Sequence, residues 1–304
     1  MKLCKPLFEI WEQSAGLEGV YKQVEKVGRV CYKSEDKITE DSAKPFVDRM
    51  IKSGHGAMLE HGTVYLKFSW NGGTCELCNQ TLPSKLLDKY CINKYSIVNY
   101  NGNDIYITTN FRVLVENGWL DDLQYICEPT EFHEKRVTVH FVCDRGVSHE
   151  FVRHRVMSFA QESTRYCNYS KDKFGNELTF IIPCWLDIPT GHYAYWDGDW
   201  CDIDKMKIQL PEGEHKDIDA FLWTLNNAET HYTLLINSGW KPQEARAVLP
   251  NSLKTELVVT GFVSDWNHFF DLRARGTTGA PHPQAKELAE PLMKEFIARK
   301  YIDN

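Results

Sequence analysis

Residues 153–166 read RHRVMSFAQESTRY, a segment that places three arginines, a histidine and two serines between apolar residues. Arg153, His154 and Arg155 are adjacent, so neither the helical nor the strand period puts all three on one solvated face; at least one turns inward. Guanidinium forks match phosphate oxygens, and Ser158 and Ser163 add hydroxyl donors, so the segment reads as an anion cradle. An isolated Arg-His-Arg is usually a charged surface turn. The longer pattern, with Ser158, Ser163, Arg165 and Tyr166 at set distances from the triplet, is too specific for that reading.

The surrounding chain has 304 residues, 42% of them apolar and 25% charged, as expected of a soluble globular protein. Lys and Arg total 35 against 42 Asp and Glu, a net charge of −7. No global positive field then recruits nucleic acid or an anionic membrane, and any phosphate site is local. The same balance, with no basic stripe, argues against RNA as the target of the arginines. No charged-then-apolar leader follows Met1 and no apolar run reaches membrane-spanning length, so the expectation is a cytoplasmic protein with no membrane partner. The ten cysteines are scattered, several in apolar runs where a free thiol packs as a small hydrophobe. Cys75 and Cys78 have zinc-knuckle spacing, but there is no second such pair, so no metal is expected. Cys167 reads as a packed thiol beside Tyr166 rather than a nucleophile.

Residues 7–32 and 40–53 read as helices, the second through Ala43, Phe46, Val47, Met50 and Ile51. The glycine-rich connection Gly54–Gly62 follows, carrying His55, Glu60 and His61, and then Val64, Leu66, Phe68 and Trp70 alternate as a half-buried strand. Residues 71–110 form a long excursion with one further strand near 105–109. A short helix over 112–118 ends in glycine, 119–134 is acidic and loop-like, and 136–144 restores the sheet. Ser148 is a plausible N-cap for a helix delivering Arg153. Residues 178–183 read as a strand, and 184–216 as an insertion whose aromatics make a satellite core more readily than a stacking platform. From Ile218 a helical stripe runs to Gly239, and Pro242 opens another helix. Phe262, Trp266, Phe269 and Arg273 share one helical face, and a buried guanidinium there needs a partner.

The 153–166 segment resembles the motif of the flavin-dependent thymidylate synthases, and other stretches are similar to that family. Gly54-His55 with Glu60-His61 resembles a cofactor-facing element, Pro242–Pro250 a segment whose arginine reaches a nucleotide phosphate, and HFFDLRA (268–274) a second arginine site. The resemblance implies FAD contacts at His55, Ala57, Glu60, Arg153, His154, Arg155, Gln161 and His268. It implies dUMP contacts at Glu150, Arg153, Gln161, Ser163, Thr164, Arg165, Arg246 and Arg273, with Arg273 as the catalytic residue that interacts with the uracil. Phe262 and Ser264 depart from the family, standing where members often have Asn and Arg as flavin contacts.

The implied activity is reductive methylation of dUMP, with 5,10-methylenetetrahydrofolate giving the carbon and NADPH the reducing power through FAD, and no enzyme nucleophile. The implied assembly is a homotetramer with shared active sites. A flavin- or nucleotide-binding protein without chemistry is the alternative. No GxGxxG follows a strand, so a Rossmann domain is not expected. The expected architecture is α+β, a mixed sheet packed with helices, in a single domain over 1–304 with insertions at about 71–135 and 184–216.

Overall fold

The computed structural model describes residues 1–69, 85–171, 174–196, 199–204 and 216–303. Strands Lys2–Cys4 (β1) and Leu7–Trp11 (β2) open the chain, followed by helices Gly16–Tyr32 (α1), Ala43–Lys52 (α2) and Gly56–Leu59 (α3). Strand Thr63–Ser69 (β3), helix Lys85–Cys91 (α4), strands Ile97–Asn101 (β4) and Asp104–Asn110 (β5) and helix Phe111–Asn117 (α5) come next. Strand Arg136–Asp144 (β6), helix Arg145–Phe151 (α6) and strand Ser158–Gln161 (β7) hold the motif region. Strands Thr179–Ile181 (β8), Gly191–Trp196 (β9) and Asp199–Asp202 (β10) precede helices Lys216–Asn237 (α7) and Pro242–Ala245 (α8). Strand Lys254–Phe262 (β11) and helices Val263–Phe270 (α9) and Pro283–Ala298 (α10) complete the order.

The central sheet runs β2-β6-β11-β7, antiparallel throughout. Its pleat sorts the side chains: Val137, Val139, Phe141 and Cys143 of β6 and Leu257 and Val259 of β11 face a core completed by Phe151, Trp266, Phe269, Phe270, Leu292 and Phe296. Each of these large side chains contributes about 1.5–3 kcal/mol by leaving water. The other face packs on α1 through Val27, Val30, Cys31, Ala160 and Val258, and carries His140 opposite Val258 and the polar pair Thr138 opposite Thr260. A second sheet, β10-β9-β1-β8, contains the parallel pair β1–β8 and packs on α7. The third sheet, β3-β5-β4, packs with α1, α2 and α5.

The α+β class with a mixed sheet is as the sequence implies, with differences in detail. Residues 7–11 are a strand rather than the start of a helix, because Phe8 and Ile10 enter the core while the backbone pairs with β6. The long excursion begins at β3: Phe111 N–H donates to the Gly62 carbonyl at 2.8 Å, and Arg136 donates to the Glu60 carbonyl, so residues 63–135 leave and return at one place. Gly118, with φ +70°, closes α5 as the sequence indicates, a backbone region in which a side chain is strained. Asp144 rather than Ser148 caps α6, its carboxylate accepting from Val147 N–H at 2.7 Å. The aromatic segment after Trp185 does form a satellite cluster, in which Tyr195 and Trp200 pack on Trp223 of α7. Cys75 and Cys78 lie outside the described residues. Among the described residues, no helix is long and apolar enough to cross a membrane.

Candidate active site

The triplet resolves as its spacing requires: His154 is buried, while Arg153 and Arg155 extend outward. His154 packs edge-on against Phe269 and lies near the exposed His268, with ring centroids 4.9 and 6.0 Å away. Its Nε2 accepts from Arg273 Nε at 3.0 Å, which assigns the ring proton to Nδ1, and that atom is buried with no partner among the described residues. Burial first, then the Arg273 charge and His268, pushes its pKa down to about 4, so the ring is neutral near pH 7.

Arg273 lies in a π-type turn over Asp271–Arg275 that follows α9. Its NH1 donates to Glu150 Oε2 at 2.6 Å and its NH2 to the Glu150 carbonyl at 3.0 Å. The partner required for a half-buried guanidinium is therefore Glu150, from α6. Bonds to Nε, NH1 and NH2 engage three of the five N–H donors, leaving two.

A separate cleft of about 530 Å³ runs along β7, the edge strand of the central sheet. His55, Gly56, Ala57 and Met58 form one wall, Phe159, Gln161 and Ser163 another, with Tyr32, Tyr166 and Arg112 completing it. Gln161 is fixed by donating to Ser148 Oγ at 2.8 Å and Thr255 Oγ1 at 3.2 Å. Ser163 N–H donates to the Cys31 carbonyl at 3.0 Å, tying the motif to the end of α1.

The wall carrying His55 is pinned from behind. Buried Arg136 donates from NH1 and NH2 to the Glu60 carbonyl at 3.1 and 3.2 Å and from NH1 to Thr63 Oγ1 at 3.2 Å. His61 meets Thr260 Oγ1 at 2.8 Å through Nδ1, and burial, then Arg136, pushes its pKa down to about 3. The Glu60 carboxylate accepts from Arg112 at 2.5 Å.

Beyond Ser163 the chain turns to Thr164, whose Oγ1 accepts from Arg246 NH1 at 3.2 Å. Arg165 is exposed and lies over the Tyr166 ring at 5.4 Å. The structure thus brings His55, Ala57, Gln161 and Ser163 to one cleft, pairs Thr164 with Arg246, and groups Glu150, His154 and Arg273 beside His268. Arg153 and Arg155 join none of these groups within one chain, and no member of the Arg273 group lines the cleft.

Sequence reasoning missed the support under this surface. Glu162, between Gln161 and Ser163, turns into the core and accepts from Tyr169 at 2.9 Å and from Lys254 at 3.0 Å. Lys254 also donates to Glu256 at 2.5 Å, and Glu256 receives Lys33 at 2.5 Å and meets His140 Nε2 at 2.9 Å. Burial alone would raise the Glu256 pKa, but the His140 hydrogen bond, Lys254 and Lys33 together hold it well below the usual carboxylate range. Burial likewise opposes the Lys254 charge, and Glu162 and Glu256 outweigh it, raising that pKa. The detectable signal was Lys254-Thr-Glu256, two charges on one face at the start of an apolar strand. Arg136 gave no such signal, its Glu60 partner lying 76 residues away, and for Arg112 only the i,i+4 partner Glu116 is local, with Glu60 52 residues away.

A flavin is a flat aromatic with polar edges and an anionic tail. The aromatic side chains, the amide and hydroxyl groups of Gln161 and Ser163 and the Arg112 guanidinium that line the cleft fit such a group.

The chain is similar to the flavin-dependent thymidylate synthase of Pyrococcus furiosus, 31% identical over 163 residues that make up 53% of each chain. It is also similar to that of Corynebacterium aurimucosum, 22% identical over 287 residues, 93% of this chain and 78% of the relative. The chain thus spans about half the length of the archaeal relatives it matches. Among solved structures it aligns with the UMP/dUMP methylase PolB of Streptomyces cacaoi bound with 5-Br dUMP, at 17% identity and a TM-score of 0.42 over 98% of this chain and 93% of that one. The model of the thymidylate synthase complementing protein family matches residues 103–299, and with well over half of its length inside that match this chain belongs to the family.

Proposed function

We propose that the chain is a flavin-dependent thymidylate synthase, converting dUMP to dTMP with 5,10-methylenetetrahydrofolate as carbon donor and NADPH as reductant. FAD, when bound, supplies the electrons for the transfer. The observation that carries this reading is the convergence of His55 and Ala57 with Gln161 and Ser163, from segments about a hundred residues apart, on one aromatic-edged cleft.

The remaining assignments follow the chemistry of each group. His55 and Ala57 hold the cofactor from one side of the cleft and Gln161 from the other, with Glu60 beside them on Arg112, and with Arg153, Arg155 and His268 reaching it where chains meet and His154 supporting them from the interior. Arg153, Ser163, Thr164, Arg165 and Arg246 donate to the dUMP phosphate, a hydroxyl and guanidinium set suited to a dianion. Glu150 orients Arg273, whose two free N–H donors stabilise negative charge on the uracil. No cysteine is assigned a bond to the substrate, in keeping with the full burial of Cys167.

The Arg273 group and the cleft are separate within one chain, and Arg153 and Arg155 face outward, so we further propose a homotetramer whose sites are shared between copies of residues 1–304 acting as one domain. The test is purified protein assayed for NADPH oxidation that depends on dUMP and for tritium release from dUMP labelled at C5. Both are expected. A yellow protein that binds dUMP and releases no tritium is a flavin- and nucleotide-binding protein without chemistry, and a preparation that takes up no flavin ends the proposal.

A further inference from the structure

We infer that Arg112, carried by α5 at the end of the excursion over 63–135, is a positioning residue that sets the Glu60 carboxylate and the His55 turn for the flavin. The inference rests on the proposed flavin cleft. Arg112 bridges two carboxylates, donating from NH1 to Glu60 Oε1 at 2.5 Å and from Nε to Glu116 Oε1 at 2.7 Å. Its NH2 has no hydrogen-bond partner among the described residues, and the side chain lines the same cleft as His55, Gln161 and Ser163.

The guanidinium lies close against the turn. A Cβ on Gly56 would lie 2.8 Å from Arg112 Nε and 2.9 Å from Glu116 Oε1, so the guanidinium packs against the bare backbone next to His55. The base of the bridge is held independently of the bridge itself. Asn110 caps α5 by accepting from Val113 N–H at 3.2 Å, and Phe111 N–H is bonded to the Gly62 carbonyl at 2.8 Å. The Glu60 backbone is separately held by Arg136 at 3.1 Å. Loss of the Arg112 side chain therefore frees the Glu60 carboxylate and opens space beside His55, while the fold of the turn keeps its anchors. A carboxylate released in this way repels the anionic tail of FAD and adopts many rotamers in place of one.

The experiment is FAD titration of the full-length protein, stripped of flavin, followed by flavin fluorescence, for the parent, Arg112→Ala and Arg112→Lys. The expected result is an FAD Kd raised about tenfold in Arg112→Ala, the size of one charge-assisted contact, with partial recovery in Arg112→Lys, whose compact ammonium keeps the charge but lacks the planar fork that meets Glu60 from NH1 and Glu116 from Nε at once. The KM for dUMP is expected to stay within about twofold of the parent, a split that general loosening of the fold would not give. If Arg112→Ala does not fold, Arg112→Lys carries the test alone, with an FAD Kd above that of the parent. A parent that binds FAD while both variants match its Kd overturns the role of Arg112 and leaves the flavin reading standing. A parent that binds no FAD brings down the flavin reading, and this inference with it.

Discussion

Behind β7 every charge has an answer: Glu162 and Glu256 share Lys254, Lys33 bonds Glu256, and Tyr169 and His140 take the remaining carboxylate oxygens. On the exposed side of the same motif, Arg153 and Arg155 make no ion pair among the described residues, and Arg165 lies over the face of Tyr166. The two regions are separated by single residues of one motif, with Gln161 and Ser163 lining the cleft and Glu162 pointing into the core. The contrast divides ionic residues by purpose. A buried charge persists only if its partners come with it, whereas an exposed guanidinium tolerates water until an anion displaces it.

The largest expected effect breaks the buried side. Lys254→Met leaves Glu162 buried beside Tyr169 without its lysine, and Glu256 with Lys33 and His140. Removing one partner of a buried pair costs about 3–5 kcal/mol, so urea unfolding is expected to show a midpoint far below that of the parent. A cost under about 1 kcal/mol would mean that water reaches these carboxylates, and the distinction between the two regions would fail.

Arg273→Ala comes next. This arginine belongs to both classes, since Glu150 and His154 hold it while two of its donors remain open. Turnover of dUMP is expected to fall about 10²–10³-fold with flavin still bound, the scale for losing an oriented donor at developing negative charge. Parental turnover in this variant would remove Arg273 from the chemistry.

On the open side the effects are smaller and of another kind. Arg165→Ala and Arg153→Ala are each expected to raise the KM for dUMP about tenfold, with kcat changed little and thermal stability within about 0.5 kcal/mol of the parent. Raising the salt concentration should narrow the gap between these variants and the parent, because exposed phosphate contacts are screened. Loss of stability in either variant would show that these side chains are paired in the assembled protein by something other than substrate.

Legibility in the sequence followed the same division. The 153–166 segment announced one inward residue by adjacency alone, and Arg273 announced a partner by standing on an aromatic stripe; His154 and Glu150 are what the structure supplies. The strand at 136–144 was readable because its alternation is local. Strand β11 went unread, since its apolar run sits between charged and glycine residues and gains its identity from pairing β6 and β7 on either side. Residues 7–11 were read as helix because a few residues of mixed pattern do not separate the two periods, and only the β6 ladder decides. Helix α10 went unread, although Gln284 in its first turn donates to Asp144 at 2.7 Å and so braces the cap of α6. Arg112, Arg136 and the Lys254 network depend on contacts across tens to hundreds of residues, which no local period encodes.

The smallest effect tests whether Arg273 is seated as described. The His154 pKa falls from the ordinary 6.5 to about 4 in the folded chain, through burial first and then the Arg273 charge and His268. Between those two values the unfolded chain binds a proton that the folded chain refuses, so stability present above pH 6.5 is lost as the pH falls toward 4. The slope this one group adds is at most about 1.4 kcal/mol per pH unit, and His61, held at about 3, adds a like slope in the same direction from pH 6.5 down to about 3. His154→Gln should roughly halve the slope these two histidines give between pH 6.5 and 4, leaving the His61 share, which continues to about pH 3, in place. In the parent, NMR titration of the His154 ring should show it uncharged down to about pH 4. A midpoint near 6.5 would place the ring in water, and Arg273 could not then be donating to its Nε2, leaving Glu150 alone to orient the guanidinium.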